Sequence, residues 1–373
     1  MEAKATSDLT AKQLPQEAST AAGGQRCLAL DALRGLVMLV LCFGSALDAE
    51  SLTKYPMLHS FALQFRHVPW AGLRLWEMVQ PAFWFVVGAA LPFALARRRE
   101  RGETFRANLR HASTRALRLI LLGQILVCLG AGRYRYESVE TLTHVGLCYF
   151  CCFLIFHLQF RWQVVAAGSL MAVSSALYLL FPGSAGPFSP TDNIGVIIDR
   201  AVFGLDHAGG WVTITFLGST VHMIFGAWTG SLLMGKKLPS AKLTILMAAM
   251  AASFAAALAL TPFNPIMQKT CTASYTFYGS GFVLLAVVAF FWLFELKGFR
   301  GLAFPLVVVG MNSIFIYFLD QAMGSWIDKS VSVFTGRFQF MGALGPILQA
   351  CAVVLVLWYV CYWLYQRKIF FKV

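Results

Sequence analysis

The chain has 373 residues, of which 58% are hydrophobic and 13% are charged, and its formal net charge is +13. Soluble domains contain about 45–50% apolar residues, so this composition excludes an ordinary soluble protein and predicts a membrane protein. A basic chain can also bind nucleic acid, and the positions of the basic residues decide between the two classes. Most of the 30 Lys and Arg residues lie on one side of the predicted membrane helices, so the charge reflects topology and we expect no nucleic-acid partner.

The first 25 residues differ from the rest of the chain. They are rich in Ala, Thr, Gln and Glu and contain no apolar core of the kind that a signal peptide needs. This composition predicts a disordered cytoplasmic tail over residues 1–25. Residues 26–373 then form a single transmembrane domain.

Long apolar runs recur throughout that domain. A bilayer core of about 30 Å needs about 20 apolar residues per helix. The runs therefore predict an all-α integral membrane protein, a polytopic bundle of about ten transmembrane helices with both termini cytoplasmic. The predicted spans are 33–50, 76–96, 114–131, 141–160, 163–181, 212–234, 242–260, 273–294, 303–323 and 344–365.

Three longer polar segments, 51–75, 182–211 and 324–343, lie on the predicted outer side and are expected to form the mouth of a site. The segment 182–211 begins with Pro and Gly and continues with several charged residues, which favours a lid or a substrate surface.

The predicted inner loop 97–118 is rich in Arg, and two interpretations stay open for it. The first is a stop-transfer and lipid-contact cluster. The second is a binding site for a phosphorylated cofactor, because guanidinium groups bind phosphate oxygens in pairs. The cofactor-binding candidates are Arg34, Arg97, Arg98 and Arg118.

Polar residues inside membrane helices carry a functional presumption because their burial is costly. His144 and Asn312 are such residues, and each is explained either by helix packing or by substrate binding. The nine Cys residues lie mostly within predicted spans and show no metal-ligand spacing, so we expect neither a disulfide framework nor a metal site.

His67 lies in a loop just before the second span, beside Pro69 and Trp70. An imidazole with a pKa near 6.5 takes a proton from an attacking amine or hydroxyl at neutral pH. A nearby carboxylate, Asp48 or Glu77, would set its tautomer. A loop histidine is also often a plain interfacial residue, and the local sequence leaves both interpretations open.

Several short segments occur in a characteristic order along the chain. They are Leu30–Gly35, Arg66–Leu73, Pro81–Gly88, Thr141–Tyr149, Ile198–Arg200, Phe225–Gly230, Pro265–Thr272, Gly310–Tyr317 and Lys368–Lys372. Together they resemble the heparan-α-glucosaminide N-acetyltransferase family, and its bacterial transmembrane branch in particular, from about residue 26 to the C-terminus.

The resemblance implies a transmembrane acyltransferase that moves an acetyl group from cytosolic acetyl-CoA to the amino group of a glucosamine-like sugar on the far side of the membrane. It implies that His67 is catalytic, as a general base or a transient acetyl carrier, with Glu77 and Asp48 as its candidate partners. The residues expected to bind substrate or acyl group are Ser45, Trp70, Asn312, Asp199, Lys269 and His144.

The implied co-substrate is acetyl-CoA, with no metal, and the implied partners are an amino sugar or glycan, the lipid bilayer and a second copy of the chain in a homodimer. The implied location is the bacterial inner membrane. The chain departs from the family pattern at Ser45, His144 and Cys271, where relatives have Asn, Gln and Trp. The resemblance to the bacterial branch does not restrict the acceptor to heparan sulfate, and O-acylation of an envelope polysaccharide and sugar transport are the alternatives.

Overall fold

The computed structural model describes residues 27–204 and 206–371, and the predicted tail 1–25 lies outside them. These described residues form helices and no strand, apart from one isolated bridge between Gly183 and Gly186. The α-helices are α1 Leu28–Ala46, α2 Pro56–Leu63, α3 Leu75–Glu100, α4 Phe105–Ala131, α5 Thr141–Phe156, α6 Phe160–Leu180, α7 Ile194–Phe203, α8 Phe216–Met234, α9 Pro239–Leu260, α10 Ala273–Phe290, α11 Arg300–Gly310, α12 Ser313–Thr335 and α13 Gly345–Gln366.

Within the described residues, eight helical stretches are long and apolar enough to cross a membrane. The last of them, Ser313–Gln366, contains both α12 and α13. Two further apolar helices, α5 and α11, are shorter. The predicted helical multi-pass membrane protein is confirmed, whereas the count of ten spans and the side of each terminus stay predictions.

The predicted inner loop 97–118 is mostly helical. Helix α3 continues to Glu100, and α4 begins at Phe105, where the Thr104 side chain accepts a hydrogen bond from the Ala107 backbone N–H at 3.4 Å. The predicted spans ended at residue 96 and began again at residue 114, where the apolar runs end and begin. Arg and Ala favour helix strongly, so the helices extend past the apolar residues into the charged ones.

The predicted span 303–323 is interrupted, because α11 ends at Gly310 and α12 begins at Ser313. The Asn312 side chain lies at this break and binds the C-terminal segment, donating to the Ile369 carbonyl at 3.1 Å and accepting from the Phe371 N–H at 3.0 Å. Helix α12 then continues to Thr335, so most of the predicted polar segment 324–343 is helix rather than loop.

Helices α3 and α8 pack so closely that only glycine fits at their contact. A Cβ atom on Gly226 would lie 2.0 Å from the Phe85 carbonyl oxygen, and one on Gly230 would lie 2.2 Å from that of Ala89. Glycines at these two positions therefore allow the two helix backbones to approach closely. The contact fixes α3, whose first turn carries the candidate site.

One end of the bundle, where α1 ends and α3 begins, is called here the site end. The segments 47–74, 181–215 and 261–272 meet there through long-range hydrogen bonds. Trp70 Nε1 donates to the Phe188 carbonyl at 2.7 Å, and the Gly72 N–H donates to the Ile266 carbonyl at 2.9 Å. The opposite end of α3 carries Arg97, Arg98 and Arg99 and is called the basic end.

Candidate active site

His67 and Glu77 form a hydrogen-bonded pair at the start of α3. His67 Nδ1 lies 3.2 Å from Glu77 Oε1, which also accepts the Val68 N–H at 2.9 Å, while Oε2 accepts the Arg74 N–H at 2.9 Å. The Glu77 side chain is fully buried, and that of His67 is 42% exposed. Glu77 therefore caps α3 as the acidic residue of a capping box and holds His67 with the same carboxylate.

The hydrogen bonds fix the tautomer of His67. The indole Nε1 of Trp76 lies 3.2 Å from His67 Nε2, and an indole N–H only donates. Nε2 is consequently the acceptor, and Nδ1 carries the proton that it donates to Glu77. This is the tautomer that a general base needs, with its lone pair on the nitrogen remote from the orienting carboxylate.

Pro81 leaves one backbone acceptor without its helical donor, because proline has no N–H to give to the Glu77 carbonyl four residues earlier. The Tyr275 hydroxyl on α10 donates to this carbonyl at 2.7 Å. Tyr275 is 2% exposed, so the bond forms inside the bundle. It ties the residue that orients His67 to a second helix.

The structure places only one of the two candidate carboxylates beside His67. Asp48 accepts a hydrogen bond from the Ser51 N–H at 3.3 Å and lines a separate pocket. Glu77 is the partner of His67, and Asp48 is not brought to it.

The loop before α3 is held against the end of α1. The Arg66 guanidinium donates to the carbonyls of Gly44 at 3.0 Å and Leu47 at 2.5 Å, where α1 has carbonyls without helical partners. Gly72 has a φ of 129°, which a residue with a Cβ rarely adopts. These features give the His67 loop a defined position.

A cavity of about 550 Å³ opens beside His67 and is lined along α3 from Trp76 to Phe83. Its apolar wall includes Met38, Leu41, Phe83, Leu126 and Val127. Its polar wall includes His67, Gln80, Glu137, Glu140, Gln268 and Gln321. Such a cavity suits a ligand with an apolar arm and a polar head.

Two carboxylates face this cavity together with His67. Glu140 caps α5 by accepting the Thr143 N–H at 2.8 Å, and its other oxygen accepts the Tyr317 hydroxyl at 3.3 Å. Burial raises the pKa of the Glu140 carboxyl, and its hydrogen bonds oppose that rise. Arg135 Nη2 lies 3.0 Å from Glu137 Oε2 and offsets the charge of Glu137, so Glu140 supplies the negative charge that favours a cationic group in the ligand.

Trp70 and Lys269 support the His67 loop from outside. The Trp70 N–H is already bound to the Phe188 carbonyl, and Lys269 Nζ lies 5.5 Å from the centre of the Trp70 ring. Lys269 Nζ also donates to the Pro69 carbonyl at 3.1 Å. Burial lowers the pKa of Lys269, and the Glu77 charge opposes that shift.

Three other residues predicted to bind substrate lie away from the cavity wall. Ser45 hydrogen-bonds Asp320, Asn312 holds the C-terminal segment, and His144 packs edge-on against Trp84 with ring centres 5.5 Å apart. For Asn312, helix packing is the interpretation that these contacts favour.

Asp199 belongs to a second histidine cluster at the site end. Its Oδ2 accepts the Thr213 N–H at 2.9 Å and lies 3.6 Å from His207 Nε2. The other nitrogen of His207 contacts Glu137, and Ser138 Oγ lies 2.9 Å from Nε2. The His207 side chain is fully buried, so the cluster joins segment 132–140 to segment 181–215.

The arginines predicted to bind a cofactor are not brought to His67. Arg97 follows Glu77 by 20 residues on the same helix, which corresponds to about 30 Å. Arg98 pairs with Glu103 at 2.6 Å, and Arg34 lies 3.5 Å from Asp31. Arg118 is exposed on α4.

Sequence reasoning missed Trp76, Trp211, Glu137 and Glu140 as parts of the site. Trp211 stands edge-on to His67, with ring centres 5.7 Å apart. The sequence did contain one signal for Trp211, because it lies in the polar segment 182–211 that was expected to form a lid or a substrate surface. Among the described residues, no group of three His, Cys, Asp or Glu side chains is placed to hold a metal ion.

The chain matches no protein-family model and no curated protein.

Proposed function

We propose that the protein is a transmembrane acetyltransferase that transfers an acetyl group from acetyl-CoA to the amino group of a sugar at the site end. The observation that carries this proposal is the His67–Glu77 pair, in which a buried carboxylate orients an imidazole that lines a cavity. The resemblance of residues 26–373 to the glucosaminide acetyltransferases supports the same reaction.

In the proposed reaction, the free amine of the sugar attacks the carbonyl carbon of the thioester. A C–N bond forms, the C–S bond breaks, and CoA leaves as a thiolate. His67 Nε2 takes the proton that the nitrogen loses and passes it to the thiolate, while Glu77 stabilises the transient imidazolium. Transient acetylation of Nε2 would use the same lone pair.

The acidic wall favours an amine as the acceptor. Glu140 attracts an ammonium group, and a neutral sugar hydroxyl gains nothing comparable from it. This feature supports N-acetylation over O-acylation of a polysaccharide. Transport is a weaker proposal, because it does not use the orientation of His67 by Glu77.

We further propose ten crossings, with both termini and the basic end in the cytoplasm of a bacterial cell. Helices α12 and α13 lie within one apolar stretch but are separate helices, and α5 packs between α4 and α8. Counting α5, α12 and α13 as separate crossings gives the predicted number. The basic end then contacts cytosolic acetyl-CoA phosphates.

The test is product analysis with purified protein in liposomes. Acetyl-CoA labelled in the acetyl group is supplied with glucosamine or with glucose, and the products are separated by mass. We expect labelled N-acetylglucosamine together with one CoA per product. An ester product, or glucosamine uptake without CoA release, would contradict the proposal.

A further inference from the structure

Both ring nitrogens of His67 are occupied by protein groups. Nδ1 donates to Glu77, and Nε2 accepts from the Trp76 indole at 3.2 Å. A neutral imidazole has one lone pair in the ring plane, and here that lone pair receives the indole N–H. A substrate amine therefore meets a base whose acceptor atom is already engaged.

The Trp76 indole is closely packed by α1 and by the segment that follows it. Gly44 on α1 faces it, and a Cβ atom there would lie 2.2 Å from the Trp76 ring. The ring also packs against a small apolar cluster that includes Leu52 and Phe65. Trp76 nevertheless lines the cavity beside His67, so a ligand in the cavity contacts it directly.

We propose that Trp76 caps the Nε2 lone pair of His67, and that a ligand entering the cavity must move the indole before His67 can act. This proposal rests on the proposed function and adds a positioning residue that regulates the same site. The cap keeps the base from reacting until an acceptor is present.

If Trp76 only packed against His67, removing either neighbouring indole would have the same effect. Trp211 allows this comparison. Both indoles stand edge-on to His67, with ring centres 6.1 Å away for Trp76 and 5.7 Å away for Trp211. Among the described residues, the hydrogen bond to Nε2 comes from Trp76. Trp211→Phe is therefore a matched control that changes a neighbouring ring without removing the cap.

The experiment measures how fast diethyl pyrocarbonate modifies His67, since this reagent attacks unprotonated imidazole nitrogens. Purified full-length protein is treated across a pH series, and the His67 peptide is quantified by mass spectrometry with the His59 peptide as internal reference. Trp76→Phe removes the donor and keeps a ring. Gly44→Ala keeps the donor and displaces the indole, so it decides the question if Trp76→Phe fails to fold.

We expect Trp76→Phe and Gly44→Ala to raise the rate at His67 by about 2- to 10-fold, the range that one hydrogen bond provides. An unchanged rate, or an equal rise in Trp211→Phe, would overturn the proposal. The experiment uses no acyl donor, so failure of the Trp76 proposal would leave the proposed acetyl transfer standing. Failure to detect acetyl transfer would likewise leave the modification rates and the Trp76 proposal standing.

Discussion

His67 and His207 both contact a glutamate at the site end, but their second ring nitrogens lie in different surroundings. Nε2 of His67 accepts the Trp76 indole N–H beside a cavity that both residues line, and 42% of the His67 side chain is exposed. Nε2 of His207 faces Ser138 and Asp199, and the side chain is fully buried.

The difference separates a candidate base from a structural link. A carboxylate at Nδ1 orients an imidazole in both places, but a proton can pass to a substrate only where Nε2 can be reached. His207 is enclosed between Glu137 and Asp199, so its contacts hold two segments of the chain together.

The largest expected effect comes from Glu77→Gln. The amide can present an N–H to His67 Nδ1 and so reverse the tautomer, which removes the lone pair from Nε2. We expect CoA release to fall by about 10³-fold while the protein stays folded. Steady-state kinetics of the purified variant measure this.

The matched control is Asp48→Asn, which alters the carboxylate that lies in a separate pocket. Its rate should stay close to that of the wild type. Equal losses in both variants would mean that Glu77 has no special role in orienting His67.

His207→Ala tests the other side of the comparison. It removes the partner that Glu137 and the buried Asp199 share, and the loss of one member of a buried pair typically costs about 3–5 kcal/mol of stability. Thermal unfolding in detergent should show this loss, whereas His67→Ala should leave the unfolding temperature nearly unchanged. The reverse order of stabilities would contradict the assignment of His207 as a structural link.

Glu140→Gln should weaken binding of an amine acceptor. The substitution keeps an oxygen for the Thr143 N–H and removes the charge that faces the cavity. We expect KM for glucosamine to rise by about 10-fold, with a smaller change in kcat, because about 1.4 kcal/mol of attraction is lost. KM for a neutral sugar should not rise.

The pH dependence of that effect has a defined sign. Burial raises the pKa of Glu140 above its ordinary value of 4.5, so the carboxyl gains its charge only at a higher pH. In the wild type, KM for the amine should fall as pH rises through this range. A wild-type profile identical to that of Glu140→Gln would exclude the carboxylate from amine binding.

Tyr275→Phe should have the smallest effect of the series. It removes the donor that replaces the missing N–H of Pro81 and leaves the Glu77 carbonyl buried without a partner. We expect a loss of about 1–3 kcal/mol in unfolding free energy. Tyr278→Phe on the same helix, where the ring packs near Phe254, is the control and should cost less.

The sequence was sufficient to predict the helical multi-pass membrane fold, because apolar runs are local signals, whereas the role of His67 stays a prediction. It was not sufficient to choose between Asp48 and Glu77. That choice depends on the capping box at Arg74 and on the Val68 N–H, which direct the Glu77 carboxylate toward the loop.

Other features depend on contacts distant in sequence. Asn312 interrupts a predicted span because it binds the backbone at Ile369 and Phe371, near the other end of the domain. The Trp76 cap requires a glycine at position 44, on another helix. Patterns within one segment contain no information about such partners, so these features appear only in the folded chain.

The most direct test of the central claim is CoA release by purified protein given acetyl-CoA and glucosamine, compared between the wild type and His67→Ala. The account predicts release that depends on glucosamine and falls by about 10²- to 10⁴-fold in the variant, the contribution of a general base. Equal release in both proteins, or none from folded wild type, would contradict the claim that His67 is the base of an acetyltransferase.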